Sequence, residues 1–413
     1  MNVAVSLFAV LIASLAAAPA MARTIDVGPG PDAQERLQTA LIDAKPGDTV
    51  RIAAGRYALV DGLSLDVSDV IVEGAGPDRT VLAFDAQKGE GEGLLITSSR
   101  VLVKDIGVEN PKGNGFKSKG SDQISFVNLR VEWTGGPKET NGPYGVYPVS
   151  SSNVLIDHVV AKGASDTGIY VGQSRNVVVQ HSDAEYNVAG IEIENCYNAD
   201  VHDNLSTHNA GGILVFDLPG LPQMGGHSTR IFRNAIVNND TPNFAAKGNI
   251  VSKVPNGTGV LVMANRDIHV FDNRIDGNAS AGVMVIAYSD TFTDPRYNPL
   301  PRDISVHGNT LGRNGFAPSF PGGADLAKAL GGTVTPVFWD GVTTFTPPGG
   351  APHSEAANFS IADGPVVDLR LVSQGASPTA ANPAVTATFG EARIAEPAPV
   401  VLPEAQRRIA GLP

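Results

Sequence analysis

Glycines followed by alternating apolar residues recur along this chain at a nearly fixed interval, and that recurrence constrains the fold more than any other feature. GIYVGQSRNVVVQHSDAEYNVA starts at Gly168, GIEIENCYNADVHDNLSTHNAG at Gly190 and GILVFD at Gly212, so the period is 22 residues. The same signature stands at Gly93 (GLLI), Gly115 (GFKS), Gly145 (GVYP), Gly259 (GVLV) and Gly282 (GVMV). Successive differences from Gly93 are 22, 30, 23, 22, 22, 47 and 23 residues. The two long intervals read as whole turns carrying insertions of about 8 and about 25 residues. A second column of apolar pairs two residues apart runs alongside: Val101/Val103, Ile124/Phe126, Val154/Ile156, Val177/Val179, Ile268/Val270 and Ile304/Val306.

A unit this short cannot hold two helices, but it holds two or three short strands. It fits one coil of a single right-handed parallel β-helix, an all-β solenoid in which each strand pairs with its equivalent one coil on, about 4.8 Å away. The 46 glycines and 6% aromatic content suit such a turn-rich repeat. Pro31 to Lys45 has helical apolar spacing at Leu37, Ala40, Leu41 and Ala44 and is expected to cap the N-terminal end. The predicted organisation is a signal peptide over 1–22, an N-terminal strand and capping helix over 23–45, the β-helix over 46–312, and an irregular C-terminal tail over 313–413 that packs on the solenoid. Asn204, Asn234, Asn273 and Asn309 align between coils and are expected to form a structural ladder, bonding to one another and to the turning backbone.

The leader reading rests on an apolar run ending in Ala20-Met21-Ala22, and it predicts a periplasmic or secreted protein without a membrane span. Cys196 is the one cysteine, which excludes an intrachain disulfide and a cysteine-based metal site. A net charge of -12 disfavours nucleic acid as a partner. No metal and no cofactor is assigned.

The helix followed by AKPGDTVRIAAGRY, then VIVEGAG and stacked coils, resembles the secreted pectin-lyase-like β-helix superfamily. More narrowly, GPYGVYPVSSSNVLI, GIYVGQSRNVVV, VAGIEIENC and GGILVFDLPG resemble a largely uncharacterised bacterial family of exported parallel β-helix proteins. The resemblance covers about residues 24 to 345. It implies a groove on one outer sheet walled by inserted loops, and it implies an exported c-type cytochrome as a partner.

Three insertions, 134–143, 218–227 and 240–258, flank one strand column, which marks that sheet as the groove. Strand alternation points two columns outward: Lys117, Tyr147, Tyr170, Glu192, Leu214, Leu261 and Met284, then Lys119, Val149, Gly172, Glu194, Phe216, Met263 and Ile286. Glu192, Tyr170 and Lys117 are the candidate catalytic residues. Lys119, Tyr147, Glu194, Asp166 and Asp217 are the candidate substrate contacts, with Glu194 expected to pair with a loop donor. Residues 100–138 carry seven basic side chains against four acidic ones, a local +3. Tyrosines that stack on sugars, lysines that pair with uronates and groups that move protons suit an acidic polysaccharide or oligosaccharide. The enzymatic reading is a polysaccharide lyase or uronate epimerase, and the alternative is a non-catalytic periplasmic module that binds or scaffolds a glycan or protein. A free, wet strip favours the first, and a strip buried under a loop or the tail favours the second. The signatures of β-helix glycoside hydrolases, of alginate epimerases and of the pectate-lyase calcium site are not visible. The apolar C-terminal half of the groove face is expected to be covered by the tail from about residue 320. Most of the histidines follow or sit within the second strand column and read as solvated turn residues rather than ligands.

Overall fold

In the computed structural model, which describes residues 22–89, 91–375, 383–390 and 393–412, the chain forms two long parallel ladders that share one core. The expected leader, residues 1–21, lies outside the described residues. The groove sheet has 12 strands and its companion 19. In the groove sheet Phe116, Val146, Ile169, Ile191, Ile213, Val260 and Val283 follow one another in register. All seven are buried. The second apolar column stacks likewise, with Val101, Ile124, Val154 and Val177 in one file. This is the right-handed parallel β-helix that the repeat predicts. The helix Ala33–Asp43 closes its N-terminal end, with Leu37, Ala40 and Leu41 turned onto the core.

The coil corners are held by side-chain amides. Asn234, Asn273 and Asn309 each present Oδ1 to the backbone N–H and side-chain amide of the asparagine one coil before, and Asn204 presents its Oδ1 to the Ser182 backbone N–H. Asp363 accepts from Asn309 at the end of the file. A second ladder, Asn187–Asn209–Asn239–Asn278–Asn314, repeats the pattern at another corner. Each buried amide thus satisfies a turn that otherwise leaves backbone groups unpaired.

The solenoid does not stop at residue 312. Val337–Trp339 and Val366–Asp368 add further strands to the groove sheet, and Phe359–Ile361 adds one to its companion. Only the last segment is a strap, and it lies on the other face of the molecule. Glu396 meets Arg230, the Val400 N–H meets Asp200, and Gln406 on the helix Glu404–Ala410 reaches the Ile124 carbonyl. Leu402 covers Leu155 and Val178 there. The strap over 393–412 therefore does not cover Phe216, Met263 and Ile286, but the earlier part of the tail meets that face as expected: Phe320, Leu326, Ala327, Val334 and Phe338 join Phe216, Met263 and Met284 in one apolar cluster. Phe216, Met263 and Ile286 sit under the inserted loop around Ile250–Val254, under residues 287–290 and under Phe320. Between these elements remains a cleft of about 310 Å³ lined by Met263, Met284, Ile286 and Phe338. Among the described residues no helix is long and apolar enough to cross a membrane.

Candidate functional site

Three consecutive groove strands, Thr167–Gly172, Ala189–Glu194 and Gly211–Phe216, build the centre of the site. Because Ile169, Ile191 and Ile213 face the core, Tyr170, Glu192 and Leu214 face out, one above the next. Gly172 is the position that shapes the pair after it. A Cβ there would lie 2.4 Å from the Tyr170 hydroxyl. Without that Cβ the ring lies along the sheet and donates its O–H to Glu194 Oε1 at 2.8 Å. Gly172→Ala is expected to push the ring off and break this bond. The change would show as loss of protection of the Tyr170 hydroxyl and a shifted ring environment by NMR, with the fold intact.

Tyr170 is one of three clustered rings. Its centroid is 4.7 Å from that of Tyr144 and 4.9 Å from that of Tyr147, and the latter two are 4.5 Å apart. Tyr144, which sequence reasoning missed, also donates to Asp166 Oδ2 at 3.3 Å. Asn249 Nδ2, from the 240–258 insertion, lies 3.4 Å from the same oxygen. That insertion is a packed cover: Val251 and Val254 join Val188, Ala189 and Leu214 in one apolar cluster. The strip is consequently closed, with Tyr170 4% and Glu192 1% exposed. Tyr147 and Tyr144 are half-buried and form its open rim.

The carboxyl groups are the chemically unusual part. The Thr167 hydroxyl is 2.7 Å from Glu192 Oε2 and 3.0 Å from Asp166 Oδ1. One hydroxyl hydrogen serves one acceptor, so the second contact requires a proton from a carboxylic acid. Burial, the Asp166 charge and the Glu194 charge push Glu192 well above the carboxylate range. Among the described residues no donor reaches Glu192 Oε1. Asp166 has three donors around it and is raised by burial only to about 6. The Thr167 hydroxyl can donate to either carboxyl, and burial favours a proton on Glu192 in preference to Asp166. Burial also raises Glu194 to about 7 and Asp217 to about 6.

The structure brings Tyr147, Tyr170, Glu192, Glu194 and Asp166 together as expected, but corrects several roles. Glu194 pairs with Tyr170 of its own sheet and not with a loop donor. Asp217 turns to the backbone N–H groups of Gly225 and Gly226, and Tyr297, unforeseen, donates to its carbonyl oxygen. Lys117 is bound to Glu92 at 2.8 Å and lies over the Tyr147 ring, 5.0 Å from its centroid. Lys119 is exposed at the end of the strand Phe116–Lys119. The +3 segment is largely neutralised from outside, since Arg100, Lys104 and Lys117 pair with Asp69, Glu73 and Glu92, none of which lies within residues 100–138. Nor are all histidines solvated: His269 is fully buried.

A right-handed parallel β-helix with a tyrosine-and-carboxyl furrow is the class these features define, and the comparisons agree on the fold. The family described as "Right handed beta helix region" matches residues 92–242. Among solved structures, the DFA-IIIase from Arthrobacter chlorophenolicus A6, solved without its lid in complex with GF2, is similar at 13% identity and a TM-score of 0.51, over 71% of this chain and 90% of that one. The mannuronan C-5 epimerase AlgE4 A-module of Azotobacter vinelandii is similar at 16% identity and a TM-score of 0.44, over 68% of this chain and 91% of that one. An alginate lyase from Paenibacillus sp. str. FPU-7 is similar at 17% identity and a TM-score of 0.43, over 71% and 97%. No curated protein matches the chain.

Proposed function

We propose that this is an exported saccharide-binding β-helix protein whose furrow moves a proton on a bound sugar, with Glu192 as general acid and Asp166 as the base end of the Thr167-linked pair. The observation that carries this reading is the single Thr167 hydroxyl shared by two buried carboxyl groups. Two carboxyls whose surroundings push their proton affinities apart are the usual means of running acid and base chemistry at one pH. The clustered tyrosines supply flat faces for sugar rings. A merely structural role does not explain the carboxyls: the positions after Glu192 in its file are Leu214 and Leu261, so the sheet accepts apolar side chains there.

The finer reading is a lyase or epimerase acting on an acidic polysaccharide. Lys117 and Lys119 support it as cations for a uronate carboxylate, provided the Lys117–Glu92 pair opens on binding. The β-helix proteins named above as an epimerase and a lyase support this through the fold alone. The cover over residues 240–258 must shift to admit substrate. That closure is the observation favouring the second reading, a binding module without turnover. No finding supports the cytochrome partner.

The test is incubation of the purified protein with alginate, polygalacturonate and neutral glycans, with binding followed by calorimetry and turnover by the ultraviolet absorbance of unsaturated uronates and by sugar epimer analysis. Glu192→Gln is expected to abolish turnover while leaving the melting temperature within a few degrees. Tyr147→Ala should weaken binding about fivefold or more, given roughly 1 kcal/mol or more per lost aromatic contact. Binding without turnover selects the module reading. Binding that neither substitution alters contradicts the furrow as the site.

A further inference from the structure

On the outer corner of the companion sheet, far from the furrow in the coil, one backbone position is left-handed in successive turns: Asp105, Asn128, His158, His181, Asp203 and Arg233 all have φ between 48° and 60°. The residues pair across neighbouring coils. Asn128 donates to Asp105, and Arg233 donates to Asp203. His158 and His181 break the pattern, because neither is an anion that the other can neutralise. Both instead aim Nδ1 at one oxygen of Asp157, each at 2.9 Å. Asp157 itself is buried, at 4% exposure, while the two imidazoles are open to solvent.

We propose that Asp157, His158 and His181 form a binding site for a divalent transition metal of the zinc type. The three ligand atoms lie within 4.8 Å of one another. Donor atoms each about 2.0–2.1 Å from a shared Zn²⁺ are separated by roughly 3 Å, close to the observed nitrogen–oxygen distances. Neutral imidazole and carboxylate are the ligand types such an ion takes, and a neutral imidazole bound through Nδ1 carries its one proton on Nε2, so binding exchanges the Nδ1–H tautomer for the Nε2–H tautomer through solvent with no net loss of a proton. The scaffold holds the ligands in place beforehand: His158 and His181 sit on equivalent corners of adjacent coils, with ring centroids 4.9 Å apart. Three protein ligands leave the solvent side for water or a further ligand. His202 does not join, because its Nδ1 is held by Asp203 at 2.7 Å.

The experiment uses the whole chain without a polyhistidine tag, stripped with EDTA and titrated with ZnCl₂ by calorimetry and with CoCl₂ by visible absorption. The expected result is one ion per chain, a cobalt d–d band, and shifts of the His158 and His181 imidazole resonances. His158→Gln and His181→Gln should each weaken binding at least tenfold, and Asp157→Asn likewise. His208→Gln, at an exposed histidine paired elsewhere with Asp240, should leave binding unchanged. Because both histidines are surface residues, melting curves in EDTA should be the same for all the histidine variants. Absence of zinc binding, or binding that His181→Gln leaves within twofold, overturns the proposal.

Discussion

Ile191→Asp should yield no folded protein. Ile191 lies fully buried between Ile169 and Ile213, so the substitution removes an aliphatic side chain from a close-packed stack and puts a carboxylate where no donor exists. The lost packing alone costs about 2–5 kcal/mol, and the buried unpaired charge adds several more. That exceeds the usual margin of roughly 5–15 kcal/mol or consumes most of it. The strand is central, so its failure also removes the template on which the coils on either side pair. The measurement is soluble yield with far-ultraviolet circular dichroism. Ile191→Val is the control, expected to fold with a loss of about 1 kcal/mol.

Replacing carboxyls in the furrow should act in the opposite direction. Glu192→Leu copies the side chain that already follows it at Leu214, and it removes a buried carboxyl with one oxygen unpartnered. It should stabilise the protein by about 1–3 kcal/mol at pH 8 and abolish saccharide turnover. The pH dependence has a definite sign. Burial raises Asp166 to about 6 and Glu194 to about 7, from 3.8 and 4.5. Raised folded-state values mean the folded protein keeps these protons after the unfolded chain has lost them. Their contribution to stability is complete below about pH 4 and is lost as pH rises through about 7. Asp203, held down to about 2 chiefly by Arg233, acts in the opposite sense but below that window. Relative to Asp166→Asn/Glu194→Gln, the wild type should therefore lose on the order of 5 kcal/mol between pH 4 and pH 8, about 3 from each group less the part already lost at pH 4. Chemical unfolding across that range measures it.

The fold was legible because a 22-residue recurrence is a local pattern, and strand alternation then decides which way each side chain points. That is why the sequence alone places Tyr170, Glu192 and Leu214 on one outward file. What the pattern could not show is whatever comes from outside the repeat. Asn249 reaches Asp166 across 83 residues of sequence, from an insertion with no periodicity. Closure of the strip followed from that insertion, so the furrow is less exposed than alternation alone suggests. The Lys117–Glu92 pair is not visible in the strand file, because Glu92 stands in the preceding coil's turn. Tyr144 precedes its repeat glycine and so fell outside the alternation used to find Tyr147. Thr167 does the same, and its role depends on a hydrogen-bond geometry that no spacing encodes. The C-terminal strap went to the opposite face because Leu155 and Val178 offered an apolar patch there, on positions that a repeat reading assigns to solvent.

The central claim is that the furrow holds a proton at neutral pH for use on a bound sugar. Carbon-13 NMR titration of the Asp and Glu carboxyl resonances, assigned with Glu192→Gln and Asp166→Asn, tests it most directly. The account predicts that Glu192 remains protonated at pH 7 and that Asp166 and Glu194 titrate near pH 6 and 7. If all three carboxyls titrate below about pH 5, as ordinary surface carboxylates do, the Thr167-linked pair stores no proton and the account fails.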